Sequence, residues 1–131
     1  MKYLCLVYLE EAKLRAVPDK ECMACGDGFR KSGMLVAAEA LQPVATAATV
    51  RVRNGKVSIT DGPFAETKEL IAGYTIIQAR SREEAIEWTK RFPNPMGRRE
   101  RCEIEVRQLY ELEDLGGPDA AIERFREIGI G

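Results

Sequence analysis

Residues 60–69, Thr-Asp-Gly-Pro-Phe-Ala-Glu-Thr-Lys-Glu, restrict the backbone more than any other stretch of this chain. Asp61-Gly62 is a turn pair. The carboxylate can accept bonds from N–H groups just ahead, and Gly62 can take a positive φ with no Cβ clash. Pro63 sets its own φ and keeps Gly62 out of the helical region. Phe64 is an aromatic anchor directly after that rigid corner. The stretch therefore places two of its three carboxylates, Asp61 and Glu66, beside an apolar wedge. Two roles are open to it: a well-made turn with solvated charges, or a site.

The totals exclude several classes of function. A chain of 131 residues suggests one domain, long enough to bury a real core. Twenty basic and 21 acidic residues give a net charge of -1, so nothing global favours nucleic acid or an anionic membrane. No apolar run approaches the roughly 18 residues of a membrane span, and no signal peptide is expected. A cytoplasmic protein follows, in which the four cysteines are reduced thiols. Histidine is absent, so any proton transfer must use Asp, Glu, Tyr, Lys or Cys. No phosphate-binding loop, dinucleotide fingerprint or metal-ligand spacing occurs, and neither a cofactor nor a metal is expected.

Residues 2–9 are a non-alternating apolar run, the pattern of a central strand buried on both faces. Residues 10–17 read as a loop, and Pro18 suits the first turn of a helix over 19–32 that Gly33 ends. Residues 34–41 form a second strand, closed by Gln42-Pro43. Strands over 48–53 and 56–60 flank Asn54-Gly55, a strong hairpin signal. Val50, Val52, Val57 and Ile59 alternate with polar residues, which predicts one wet face. Residues 72–79 form another strand. Ser81-Arg82-Glu83-Glu84 reads as a capping box that opens a helix over 82–92, with Ala85, Trp88, Thr89 and Phe92 as its apolar stripe. The last core strand runs over 101–109. Cys102, Ile104 and Val106 face one way there, and Glu103, Glu105 and Arg107 the other.

Without the hairpin the order is β-α-β, β-α-β. That predicts an α+β, ferredoxin-like split βαβ: an antiparallel sheet with two helices on one face and a β-hairpin insertion. The strands at 2–9 and 72–79 are apolar on both sides, and two helices can cover only one. A second subunit packed sheet to sheet is the physical solution, so a homodimer is expected. Composition shifts after Tyr110. The domain is expected over 1–110, and 111–131 as a helical appendage that docks on a neighbour, with Ala121, Ile122, Phe125 and Ile128 as its stripe.

The 60–69 motif, with Leu41-Gln42-Pro43 and Val50-Arg51-Val52-Arg53-Asn54-Gly55-Lys56 before it and Gly73-Tyr74 after it, resembles the DGPF-domain proteins of the YCII-related family. The resemblance covers about residues 1–110. It implies a ferredoxin-like subunit dimerising into an α/β barrel with a cleft between the sheets, of bacterial, cytoplasmic origin. The wider superfamily includes small-molecule isomerases, monooxygenases and dehalogenase-type enzymes, and some members of the DGPF group itself are encoded beside sigma factors. Some relatives carry a His–Asp pair. Without histidine only its Asp half carries over, as Asp61.

Asp61, Glu66 and Glu39 are the candidate acid/base groups, because a carboxylate desolvated in a cleft becomes useful for proton transfer. Asp61 and Glu66 are the candidate catalytic residues. Glu39, Phe64, Tyr74 and Arg107 are the candidate ligand-binding residues, with Tyr74 assisting catalysis. Cys22-Met23-Ala24-Cys25 fits C-x-x-C but falls inside a helical stripe, which favours inert core packing over a redox pair. Arg98-Arg99-Glu100-Arg101 reads as a solvated loop, and an anion site is the alternative. Two functions follow. One is a cofactor-independent enzyme of isomerase or lyase type acting on a small molecule. The other, suggested by the gene neighbourhoods of the family it resembles, is a non-catalytic ligand sensor or protein-interaction module linked to sigma-factor regulation. A closed cleft with converging carboxylates favours the first, and an open apolar groove the second.

Overall fold

The computed structural model describes residues 1–10, 20–92 and 102–131, without the side chains of 20–25. The elements are β1 (Lys2–Leu9), α1 (Lys20–Ser32), β2 (Leu35–Ala40), β3 (Ala48–Arg53), β4 (Lys56–Asp61), β5 (Leu70–Gln78), α2 (Arg82–Thr89), β6 (Glu103–Gln108) and α3 (Asp119–Glu127). Four strands form one antiparallel sheet in the order β2-β5-β1-β6, and β3 pairs with β4 as a separate ribbon. This is the ferredoxin-like α+β arrangement that the strand and helix order predicts. The C-x-x-C pair Cys22 and Cys25 and the 98–101 motif lie outside the described side chains.

The non-alternating run becomes β1, inside the sheet between β5 and β6. Tyr3, Cys5 and Leu9 are buried on the helix side. Tyr3, Cys5, Ile77 and Ala79 pack there with Phe29 of α1 and Ala85 of α2. The Phe29 ring lies 5.0 Å from those of Trp88 and Phe92, in tilted and edge-on contacts. Such pairs add about 0.5–1.5 kcal/mol beyond area burial. Trp88 is therefore core, as its place in the helical stripe predicts, with the Arg91 guanidinium 4.1 Å from its ring centre.

Ser81 caps α2: its hydroxyl accepts from the Glu84 N–H at 3.1 Å. The capping box forms only by half, because the Glu84 carboxylate turns to accept from Arg80 Nε at 2.8 Å. The helix also stops at Thr89 rather than at residue 92. Arg91 N–H and Phe92 N–H bond three residues back, to Trp88 and Thr89. That tightening is expected just before Pro93, which disfavours a helical residue ahead of it.

Among the described residues no helix packs on the opposite sheet face. Leu4, Leu6, Tyr74 and Ile76 lie there, half-buried. Cross-strand register sets their neighbours: Glu39, Tyr74, Leu6 and Glu105 form one row, and Ile76, Leu4 and Arg107 the next.

The β3–β4 ribbon turns at Asn54 (φ 51°) and Gly55 (φ 74°), the paired left-handed geometry of a type I′ hairpin. Register puts Val50 opposite Ile59 and Val52 opposite Val57 on one face. The expectation of a single wet face is corrected here. These four side chains are 60–69% exposed, so within one chain both faces of the ribbon meet water.

Candidate functional site

The chain between β2 and β3 and the loop between β4 and β5 run side by side at one end of the sheet. Leu41 N–H donates to Ala72 C=O at 2.8 Å, which ties the first segment to β5. A 3₁₀ turn over Val44–Thr46 follows. Thr46 closes it through its N–H and its hydroxyl, both donating to Pro43 C=O at 2.9 and 2.7 Å.

The 60–69 loop is held onto this segment by the backbone and by threonine and arginine. Gly62 adopts φ 99°, as Asp-Gly-Pro predicts. Its N–H donates to Ala47 C=O at 2.7 Å, and its C=O accepts from the Thr49 hydroxyl at 2.8 Å. Arg51 donates to Thr60 Oγ1 at 2.9 Å and to Phe64 C=O at 3.5 Å. The Thr67 hydroxyl donates to Glu69 C=O at 2.9 Å. Lys68 lies 3.8 Å from Glu10.

These restraints hold open a cleft of about 700 Å³. Its floor is Tyr8 and Ile71. One wall is Leu41, Gln42, Pro43, Val44, Thr46 and 47–49. The other is Pro63, Phe64, Ala65, Thr67, Glu69 and Leu70. Among the described residues Glu69 is the one carboxylate in that lining. On the far side of Tyr8 lies a shallower hollow of about 440 Å³, lined by Tyr8, Glu69, Glu103, Ile104 and Glu105.

Phe64 reaches the cleft, 80% exposed at its rim. The other sequence candidates lie elsewhere. Asp61 is the last residue of β4, opposite Ala48 and exposed, and Glu66 is exposed in the loop. Glu39 and Tyr74 are cross-strand neighbours on the open sheet face. Arg107 lies one row away on that face, 3.4 Å from Glu105. Neither Asp61 nor Glu66 is among the residues that line the cleft. Tyr8, Leu41, Pro43 and Ile71 escaped sequence reasoning. Each is unremarkable in its own segment, and only Leu41-Gln42-Pro43 carried a signal, through the family motif.

Among the described residues no group of three or more Cys, Asp or Glu could hold a metal ion. Two thiols are described. Burial pushes the Cys5 thiol up, against a partly opposing hydrogen bond with Thr89 at 3.6 Å. Burial, and then the Glu103 carboxylate, push Cys102 up. Neither is poised as a thiolate nucleophile. No described helix is long and apolar enough to cross a membrane.

Fold and cleft together define a ferredoxin-like α+β domain with an apolar cavity at the end of its sheet. The model of the YCII-related domain matches residues 1–110, and the chain belongs to that family. It is similar to an uncharacterised protein of Rhizobium meliloti (strain 1021), 32% identical over 87 residues, which is 66% of this chain and 70% of that protein.

Proposed function

We propose that this chain binds a small, mainly apolar molecule in the cleft under the 60–69 loop, and that it does so without acid–base chemistry. One observation carries the reading: the lining is aliphatic and aromatic, with hydroxyls, one amide and the single carboxylate of Glu69. Its volume suits a ligand of ordinary metabolite or drug size, and a few polar groups set in apolar walls are the usual make-up of such sites. Isomerase or lyase chemistry at Asp61 and Glu66, with Tyr74 assisting, has less support. Both carboxylates are exposed, and none of the three residues lines the cleft. Binding without chemistry fits a ligand sensor, and the link to sigma-factor regulation rests on family resemblance.

We also propose a homodimer that covers the open sheet face. Leu4, Leu6, Tyr74 and Ile76 are a contiguous apolar patch that α1 and α2 cannot reach from the other side. Sedimentation of a stable monomer at micromolar concentration contradicts this second proposal. A thermal-shift screen of a metabolite library tests the first. Hits should stabilise the wild type and Asp61→Asn alike, and lose their effect in Ile71→Glu. Hits that depend on Asp61 and ignore Ile71 restore the enzyme reading.

A further inference from the structure

Two appendages leave the sheet at opposite ends, and they differ in charge. The β3–β4 arm leaves where β1 ends, beside the cleft. The tail over 110–131 leaves where β1 begins, since Leu109 N–H donates to Lys2 C=O. An eight-residue strand separates them by roughly 25 Å. The arm carries Arg51, Arg53 and Lys56 against one acid, Asp61, and exposes Val50, Val52, Val57 and Ile59. The tail carries six acidic side chains and two arginines. Both arginines are engaged within it: Arg124 with Glu127 at 3.0 Å, and Arg126 with Glu113 and, at 3.4 Å, with Glu123. The tail therefore stays net acidic, and it exposes Leu115, Phe125, Ile128 and Ile130.

The open sheet face is polarised along the same axis in the opposite sense. Lys2 and Arg107 lie toward the tail end, and Glu39, Glu103 and Glu105 toward the arm end. Two copies packed face to face about a two-fold axis can run their β1 strands parallel or reversed. The parallel choice sets acid against acid. The reversed choice sets each acidic end on the partner's basic end, and it brings each basic, apolar arm to the partner's acidic, apolar tail.

We propose that the β3–β4 arm of one copy docks on the 110–131 tail of a second, reversed copy, and reciprocally. This rests on the face-to-face dimer proposed above. The two-fold symmetry makes both contacts at once. An isolated two-stranded ribbon is marginally stable in water, so an arm of this kind needs a surface to lie on.

The test is the dimer dissociation constant from sedimentation equilibrium. Four chains are compared: wild type, Arg53→Glu/Lys56→Glu, Asp119→Lys/Glu123→Lys, and the two pairs combined. All four side chains are exposed, so the fold should survive, with circular dichroism as the check. Each pair alone should weaken the dimer about tenfold or more, and the combination should recover to within about threefold of wild type. The losses should shrink in about 0.5 M salt. The proposal is overturned if the single pairs leave the constant unchanged, or if the combined chain loses as much as both together. Leu6→Glu separates the two readings. If it abolishes a dimer that the charge variants leave intact, the face-to-face dimer stands and the arm–tail contact falls. A monomeric wild type removes both.

Discussion

The two sides of β1 show how differently one strand can be used. On the helix side, Tyr3 and Cys5 meet Ile77, Ala85 and the Phe29–Trp88–Phe92 ring cluster, and little surface is left exposed. On the other side Leu4 and Leu6 are only half-buried, Tyr8 floors an open cleft, and the ribbon beyond it holds four β-branched side chains in water. Apolar residues serve stability on the first side. On the second they are left available, which is where a binding function has to be sought.

The largest expected effect breaks or upholds this contrast directly. Ile77→Ala and Ile59→Ala delete the same atoms. The first opens a cavity in the covered core and should cost about 2–5 kcal/mol. The second, in protein diluted below its dimer dissociation constant, should stay within about 0.5 kcal/mol. Urea unfolding followed by Trp88, the chain's one tryptophan, measures both. Equal costs would show that the ribbon is packed within one chain and that the contrast is false. Raising protein concentration should add a cost to Ile59→Ala alone.

A smaller effect belongs to the corner that shapes the cleft. Gly62→Ala places a Cβ on a residue at φ 99° and should cost about 1 kcal/mol or more. The melting temperature reads it. A neutral result would mean that the loop relaxes to another conformation.

The smallest concerns Cys5. Its thiol is held up by burial from a reference of 9.0, so between the two values the unfolded chain releases a proton that the folded chain keeps. Its contribution is complete below about pH 9 and is lost as pH rises toward the folded value. Melting temperatures of wild type should therefore fall more steeply above about pH 9 than those of Cys5→Ala. Parallel curves would mean that the thiol is not desolvated.

The scaffold was legible because local chemistry and fold agree. Asn54-Gly55 specified the ribbon turn, Gly62-Pro63 the corner, Ser81 the cap, and the alternation over 103–107 the two faces of β6. The cleft was not legible. Tyr8, Leu41 and Ile71 meet only because β1, β5 and the end of β2 converge, and nothing in any one segment marks a shared wall. The conspicuous charges of the loop belong to Asp61 and Glu66, which the cleft lining does not include. Asp61 instead ends β4 across from Ala48, and Thr49 and Arg51 hold the loop.

The most direct measurement of binding in the cleft is a titration with N-phenyl-1-naphthylamine, a neutral apolar fluorophore. It should bind the wild type, Asp61→Asn and Glu66→Gln with the same affinity, and Ile71→Glu at least about tenfold more weakly. Equal binding by Ile71→Glu, or loss of binding in either carboxylate variant, would contradict an apolar site built from Tyr8, Leu41, Phe64 and Ile71.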